Sequence, residues 1–362
     1  MASAAGGILS PLTSLFSFGD KGYLTIDIGS SSIKILEVKG KGKNLRVVNA
    51  GIAPLSVDII QDNIIRNPTA AAEAIRTLVE DQGLQATKVL TVVPGPAVII
   101  KRANFPAQDQ KELRETILFE AGNFIPESLD NVNLDYQVLD EGSSGSVDVL
   151  LVAVRKDVIR SYVDAIEEAG LVPVVADVDY FALENMFETN YTPNPDETIA
   201  LINIGAHYSL VNVMKGNRSA FTGDVQFGGK HFSDMVAEAL SLGEEDAEEA
   251  KLNGALEGYN SQDIEKVIIA ASDHLLDEIQ HTLSFFGTGT AEEQITAVYL
   301  SGGTAQLPSL ASMMSQRLSV PVEISDPFRN LRVGGQHEEF IRAHASSFAI
   351  SAGLATRRPG DR

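Results

Sequence analysis

Asp27, Gly29, Ser30, Ser31, Ser32 and Lys34 share one short stretch, TIDIGSSSIKILEV at 25 to 38, between two apolar strand-like runs. A glycine at the bend of a two-strand hairpin lets the chain turn tightly and gathers consecutive amide N–H groups on one side, a cradle for anionic oxygens. Three serine hydroxyls add donors there, and Lys34 can reach back as a cation. Asp27, on the leading strand, can face a magnesium ion carried by phosphates, through water. The chemistry is phosphate binding. A plain hairpin with a solvated lysine would use the same residue types, so this stretch does not decide the matter alone.

A second copy changes that. YLTIDIGSSSIKILEVKGK (23 to 41) and IALINIGAHYSLVNVMKGN (199 to 217) align without a gap, so that Ile26, Ile28, Gly29, Lys39 and Gly40 recur as Ile202, Ile204, Gly205, Lys215 and Gly216. Each copy opens one half of the chain, which predicts two lobes built on one duplicated plan. Two such hairpins facing each other across an interlobe cleft would clasp phosphates from both sides, and clefts between domains are where ligands sit. Gly205 and Ala206 form the second bend. A third element, YLSGGTAQLP at 299 to 308, is an apolar strand breaking at Ser301, Gly302 and Gly303 into a helix. Backbone without side chains lets a flat base or a ribose come close.

The remaining elements must position these turns, and they read as an α/β protein. Asn67 caps and Pro68 starts a helix with Ala71, Ile75, Leu78 and Val79 on one face, ended by Gly83. Strands at 88 to 93 and 97 to 105, a helix near 109 to 122, a hairpin of LDYQVL and VDVLLVAV joined by DEGSSGS, and a helix bearing Val158, Tyr162, Ile166 and Ala169 form an αβ insertion of about 85–170. In the second half, the acidic LGEEDAEEAKLNG and a long helix at 262 to 286 form a helical subdomain of about 235–290. The division is therefore an arm at 1–20, a first lobe at 21–195, a second lobe at 196–355 and a tail at 356–362. GTGT at 287 to 290 follows a helix and reads as a loop, not a dinucleotide fingerprint. His274 and His281 stand two helical turns apart, about 10 Å, too far to share a metal ion.

Composition bounds the function. A chain of 362 residues with 44% hydrophobic content can bury a substantial core. Its net charge of −21 argues against general affinity for nucleic acid or anionic lipid. Without cysteine there is no disulfide, thiolate metal site or cysteine nucleophile, which suits a reducing compartment and points to the cytoplasm. The apolar ILSPLTSLFSF lacks a basic leader and is broken by Pro11; it reads as a loosely held arm, with surface docking as the alternative.

In this order the three turns resemble the actin, heat-shock-70 and sugar-kinase ATPase superfamily: IDIGSSSIK is similar to its first phosphate motif, LINIGAHYS to its second and YLSGGTAQL to its adenosine motif. From about residue 22 to 355 the chain also resembles the PilM family of type IV pilus assembly proteins, relatives of the cell-division protein FtsA. The segments that carry this are FPAQDQKELRETILFEAGNFIPESLDNVNLDYQVL, VADVDYFALENMF, FTGDVQFGGKHF and VEISDPFRNL. The resemblance implies an actin-like (ribonuclease H-like) two-lobed fold with a duplicated sheet-and-helix core and two inserted subdomains. It implies ATP and magnesium as cofactors, with phosphate contacts from Gly29, Ser30, Ser31, Ser32, Lys34, Gly205 and Ala206, and with Asp27 on the magnesium side. Gly228, Gly229 and Lys230 would start a helix near the sugar, Glu248 and Lys251 would contact ribose and adenine, and Ser301, Gly302, Gly303 and Thr304 would complete the nucleoside pocket.

One departure matters: the second motif usually carries Asp where this chain has Asn203. An amide cannot supply the charge that orients magnesium and the attacking water, so slow or absent hydrolysis is expected. Asp177, Asp179 and Glu184 in the connecting segment could compensate; the reading favoured for them is helix-start and surface carboxylates. By resemblance, the protein would be a cytoplasmic adaptor of the pilus machine serving pilus biogenesis and twitching motility, peripheral to the inner membrane through its partners. A groove beside the αβ insertion would take the N-terminal peptide of the inner-membrane protein PilN. Two alternatives stand beside it. An FtsA-like filament protein would need an amphipathic C-terminal anchor, which ISAGLATRRPGDR does not resemble. A small-molecule kinase would need a positioned base in the cleft, and no acid is singled out for that role.

Overall fold

The computed structural model describes residues 22–56, 58–106, 109–141, 145–286, 294–334 and 337–361. The N-terminal arm and the run at 287–290 lie outside the described residues. The chain begins with β1 (Tyr23–Ile28), β2 (Ser32–Lys39), β3 (Arg46–Pro54), the short β4 (Ile60–Gln61) and β5 (Ile64–Ile65), α1 (Pro68–Asp81) and β6 (Lys88–Val93). It continues through β7 (Val98–Pro106), α2 (Gln110–Glu120), β8 (Val132–Glu141), β9 (Ser146–Arg155), α3 (Lys156–Glu168), β10 (Val172–Val178) and α4 (Asp179–Asn190). The second half builds β11 (Thr198–Ile204), β12 (Ser209–Lys215), β13 (Arg218–Val225), α5 (Gly229–Leu240), α6 (Glu244–Asn253) and α7 (Ser261–Phe286). Then come β14 (Ala297–Ser301), α8 (Leu310–Leu318), β15 (Val322–Ile324), β16 (Arg332–Val333), α9 (Glu338–Ala343) and α10 (Ala349–Leu354).

Two sheets share one plan. The first has the order β10-β6-β1-β2-β3-β16 and the second β13-β12-β11-β14-β15. In each, an antiparallel hairpin (β1 with β2, β11 with β12) is extended on the side of its first strand by a parallel neighbour, β6 or β14. Both leading strands lie inside their sheets and are largely buried: Leu24, Ile26 and Ile28 in β1, then Ala200, Leu201, Ile202 and Ile204 in β11. Local signals act as expected around them. The Asn67 side chain accepts from the Ala70 N–H, Pro68 opens α1, and Ala71, Ile75 and Leu78 are buried on its inner face.

Tertiary pairing redraws two sequence-based boundaries. β6 pairs in parallel with β1 and β10, and α3 packs on α1, so both belong to the central layer instead of the insertion. The run KVLTVV is buried almost throughout, as a strand with neighbours on both sides must be. The separate body is the three-stranded antiparallel sheet β7-β9-β8 with α2, whose Leu113 and Ile117 cover Phe105, Val149 and Leu151. The end of the presumed second lobe also crosses back. β16 pairs with β3, while Ile341, Phe348, Ala352 and Leu354 join the core of the first lobe. The third turn differs in detail: after β14 the chain makes a 3-10 turn at Gly303–Gln306 before α8 begins.

Candidate functional site

The two hairpin bends meet. In the first, Gly29 N–H donates to the Ser32 carbonyl at 3.0 Å, and Leu55 N–H to the Ser31 carbonyl at 2.8 Å. Asp27 and Lys34 lie opposite each other in the β1–β2 register, with Nζ 3.6 Å from Oδ2. In the second bend, Gly205 N–H donates to the Tyr208 carbonyl at 3.1 Å. Across the gap between lobes, His207 Nδ1 and Ser30 Oγ are 2.8 Å apart and hydrogen-bonded. The serine turn and the Gly205 turn therefore meet directly between the two lobes.

The other residues singled out in the second half gather behind the Gly205 turn. Gly229 N–H donates to the Gly205 carbonyl at 2.9 Å, and Lys230 N–H to the Ala206 carbonyl at 2.8 Å, seating the start of α5 on the bend. A Cβ at Gly228 would lie 2.6 Å from both the Gly205 and Ala206 carbonyl oxygens, so this approach needs glycine. Thr304 Oγ1 donates to the Gly205 carbonyl at 3.1 Å, and Asn203 Nδ2 donates to Ser301 Oγ at 2.9 Å. Both hydroxyls thus brace the turn and its strand, leaving Gly302 and Gly303 as the side-chain-free part of that loop. Buried Lys251 reaches Glu248 Oε1 at 2.6 Å and the Gly229 carbonyl at 3.3 Å, tying α6 to the start of α5. Lys230 Nζ pairs with Asp234 and, at 3.0 Å, with Glu244.

The connecting acids are not surface groups, which corrects the reading favoured from sequence. Asp179 does begin α4, but it is only 4% exposed, and Asp177 only 6%. Burial pushes the Asp179 carboxyl up to about 7, partly offset by the Gly95 amide and the Tyr208 hydroxyl, whose OH lies 3.2 Å away. Burial also raises Asp177, opposed by the Arg357 guanidinium at 2.9 Å. Glu184 is pushed up to about 7, again mainly by burial, although Asn212 Nδ2 donates to it at 2.6 Å. These acids are withdrawn because α4 is sandwiched, with β10 and α10 on the first-lobe side and β11 and β12 on the other.

A pH dependence follows. Folding raises the pKa of Asp179 and Glu184, so the folded chain holds protons that the unfolded chain releases. Their stabilising contribution is complete below the ordinary carboxylate range and is lost as pH rises through about 7. Asp179→Asn or Glu184→Gln is expected to flatten the decline in thermal midpoint between about pH 5 and about pH 8 and to raise the midpoint at the alkaline end. Melting curves across that range check it; a wild-type slope in both variants would contradict it.

Which residues would form the groove expected beside the insertion was not legible in the sequence. A cavity of about 730 Å³ lies between the insertion and the central layer, walled by Asn133 to Leu139 of β8 on one side and by Ala176 to Val178, Phe181 and Glu184 on the other. β8 and β10 are edge strands of their sheets among the described residues, so two sheet edges flank this cleft. Asp135, Glu184 and Glu188 line it with Arg218 and Arg357, the latter already paired with Asp177. His207 and Tyr208 were also missed. The signal was their position in the repeat, where two large side chains replace two serines.

Among the described residues no group of three or more His, Asp or Glu side chains could hold a metal ion. Asp27 at the serine turn is paired with Lys34 at 3.6 Å, so a magnesium ion there would be held chiefly by phosphate oxygens and water. No described helix is long and apolar enough to cross a membrane.

Two sheets of one plan, each opening on a glycine-turned hairpin and meeting at an interlobe space, define an actin-like fold. Within that class the assignment is specific: residues 25–359 match the family described as type IV pilus assembly protein PilM, and the chain belongs to that family. A solved PilM-PilN type IV pilus biogenesis complex contains a chain 26% identical, with a TM-score of 0.82 over 93% of this chain and 99% of that one. The cell division protein FtsA of Streptococcus pneumoniae serotype 2 (strain D39 / NCTC 7466) is 22% identical over 93% of this chain and 81% of its own length. MreB5 of Spiroplasma citri, solved bound to ADP, shares the fold at 12% identity, a TM-score of 0.51, and coverage of 91% and 94% of the two chains.

Proposed function

We propose that this chain is an ATP-binding adaptor of the type IV pilus machine that holds the N-terminal cytoplasmic peptide of inner-membrane PilN in the cleft between β8 and β10. The observation that carries the reading is the construction of that cleft. Its walls include two sheet edges, and an extended peptide gains main-chain hydrogen bonds from such an edge while its side chains enter flanking pockets. A solved relative from the same family is a complex with PilN. Four acids, Asp135, Asp177, Glu184 and Glu188, stand against two arginines, Arg218 and Arg357, along the cleft, which favours a peptide carrying Lys or Arg. The adaptor works in the cytoplasm and reaches the inner membrane and the other machine components through its partners.

The facing turns supply the nucleotide site of this reading. Gly29, Ser30, Ser31, Ser32 and Lys34 would hold phosphates from one lobe, and Gly205 and Ala206 from the other. The Gly302–Gly303 backbone would admit the nucleoside beside Gly228 and the Glu248–Lys251 pair. Magnesium, held by Asp27 through water, would neutralise phosphate charge. Asn203 spends its amide on Ser301 and brings no negative charge, so turnover is slow or absent. ATP then acts as a structural ligand that favours the closed arrangement of the lobes.

Fluorescence anisotropy with a synthetic PilN N-terminal peptide tests the cleft. Val138 lies on its wall and is 39% exposed, so Val138→Arg leaves the core intact. That variant is expected to weaken peptide binding at least about tenfold, with ATP binding unchanged. Wild-type affinity should fall as salt rises. Equal peptide affinity in Val138→Arg and wild type would remove the cleft from the reading.

A further inference from the structure

We propose that His207 is a ligand for the terminal phosphate of a bound nucleoside triphosphate, donating from the second-lobe turn to an anion seated on the first-lobe serines. The inference rests on the nucleotide reading above and adds a side chain to which the resemblance assigns no role.

The geometry comes first. His207 Nδ1 lies 2.8 Å from Ser30 Oγ, so the ring already spans the space between the two bends. The same Ser30 sits beside the Gly29 bend, whose amides and hydroxyls form the anion cradle. An oxygen held there is within reach of the imidazole. The side-chain-free Gly302–Gly303 loop belongs to a different turn, after β14, and takes the nucleoside end of the ligand. The bridge between the hairpin bends then falls to the far end of the phosphate chain. Serine hydroxyls and backbone amides recognise any phosphate; an imidazole closing over the last one distinguishes a triphosphate from a diphosphate.

The electrostatics agree. Burial holds the His207 imidazole below its ordinary value, and its neighbours His231 and Lys230 on α5 lower it further, with Asp234 working the other way. On the first-lobe side Asp27 and Lys34 flank the serine turn and are paired with each other. The ring is thus neutral near pH 7 until an anion arrives beside it. A phosphate favours the imidazolium, so triphosphate binding takes up a proton, and affinity rises as pH falls.

Equilibrium titrations of the full chain with MgATP and MgADP, in wild type, His207→Ala and His207→Gln, test this between about pH 5.5 and about pH 7.5. His207→Ala is expected to lose about tenfold in ATP affinity while ADP affinity changes less than about twofold. His207→Gln keeps a donor without a titrating ring. It should recover most of the affinity at the upper end of the range yet lack the several-fold gain of wild type at the lower end. The titration of ATP itself is common to all three proteins and cancels in the comparison. Unchanged ATP affinity in His207→Ala, equal losses for ATP and ADP, or a wild-type pH profile in His207→Gln overturns the inference and leaves the nucleotide site standing. If wild type binds neither nucleotide at any pH, the nucleotide reading falls and this inference falls with it.

Discussion

Gly353→Val is expected to unfold the first lobe or leave it marginal. α10 crosses α4 so closely at this residue that a Cβ would stand 1.7 Å from the Ala182 carbonyl oxygen and 2.8 Å from the Met186 nitrogen. Both obstacles are backbone, so no rotamer change can make room; the helices must separate. All six residues of α10 are buried, and separation would expose a stripe of core that includes Ala349, Ala352 and Leu354. Overpacking of this kind costs about 3 kcal/mol or more. Since α4 also carries Asp179 and Glu184 and walls the proposed peptide cleft, peptide affinity should fall with stability. Chemical denaturation monitored by circular dichroism reads the effect, with Gly353→Ala as the intermediate case. A valine variant within about 0.5 kcal/mol of wild type would show that the two helices are not held in this contact.

Gly302→Val is expected to separate the two proposed binding functions. Gly302 has φ +91°, a backbone region that a β-branched residue avoids, and its added Cβ would lie 2.3 Å from the Ile204 carbonyl oxygen. Valine would push the loop after β14 away from the Gly205 hairpin, with Gly302 N–H leaving the Ser346 carbonyl 2.9 Å away. Nucleotide affinity is expected to drop at least about 100-fold, since the loop proposed to admit the nucleoside moves as a unit. Peptide affinity at the β8–β10 cleft should remain within about threefold, because most of that cleft's wall belongs to the first lobe and the insertion. Parallel titrations of one preparation with ATP and with the PilN peptide decide it. Loss of both together would mean that the two sites are strongly coupled, and retained nucleotide binding would remove the loop from the site.

What could be read in advance was local or repeated. Gly29 and Gly205 announced hairpins because a bend between apolar runs needs small residues, and the gapless echo of one in the other disclosed the duplicated sheets. Asn67 and Pro68 marked the start of α1 because capping is decided within one helical turn. The error over β6 and α3 had the opposite cause. A buried strand has the same apolar content whichever sheet it joins, and KVLTVV carries no mark of its pairing with β1 and β10. Asp177, Asp179 and Glu184 looked like surface acids because burial depends on which helices close over them, and α10 arrives from the far end of the chain.

By itself the order of residues determined an α/β chain with two glycine-turned hairpins, a third glycine loop, and family membership, since each of these is written in adjacent residues or in the repetition of a motif. Only the tertiary structure decided that Ser30 meets His207, that two sheet edges leave an acid-lined cleft between them, and that residues 332–354 return to the first lobe. Those contacts join residues far apart in sequence. They form because burying apolar surface and pairing backbone groups across the whole chain selects one arrangement among many that the local signals permit equally.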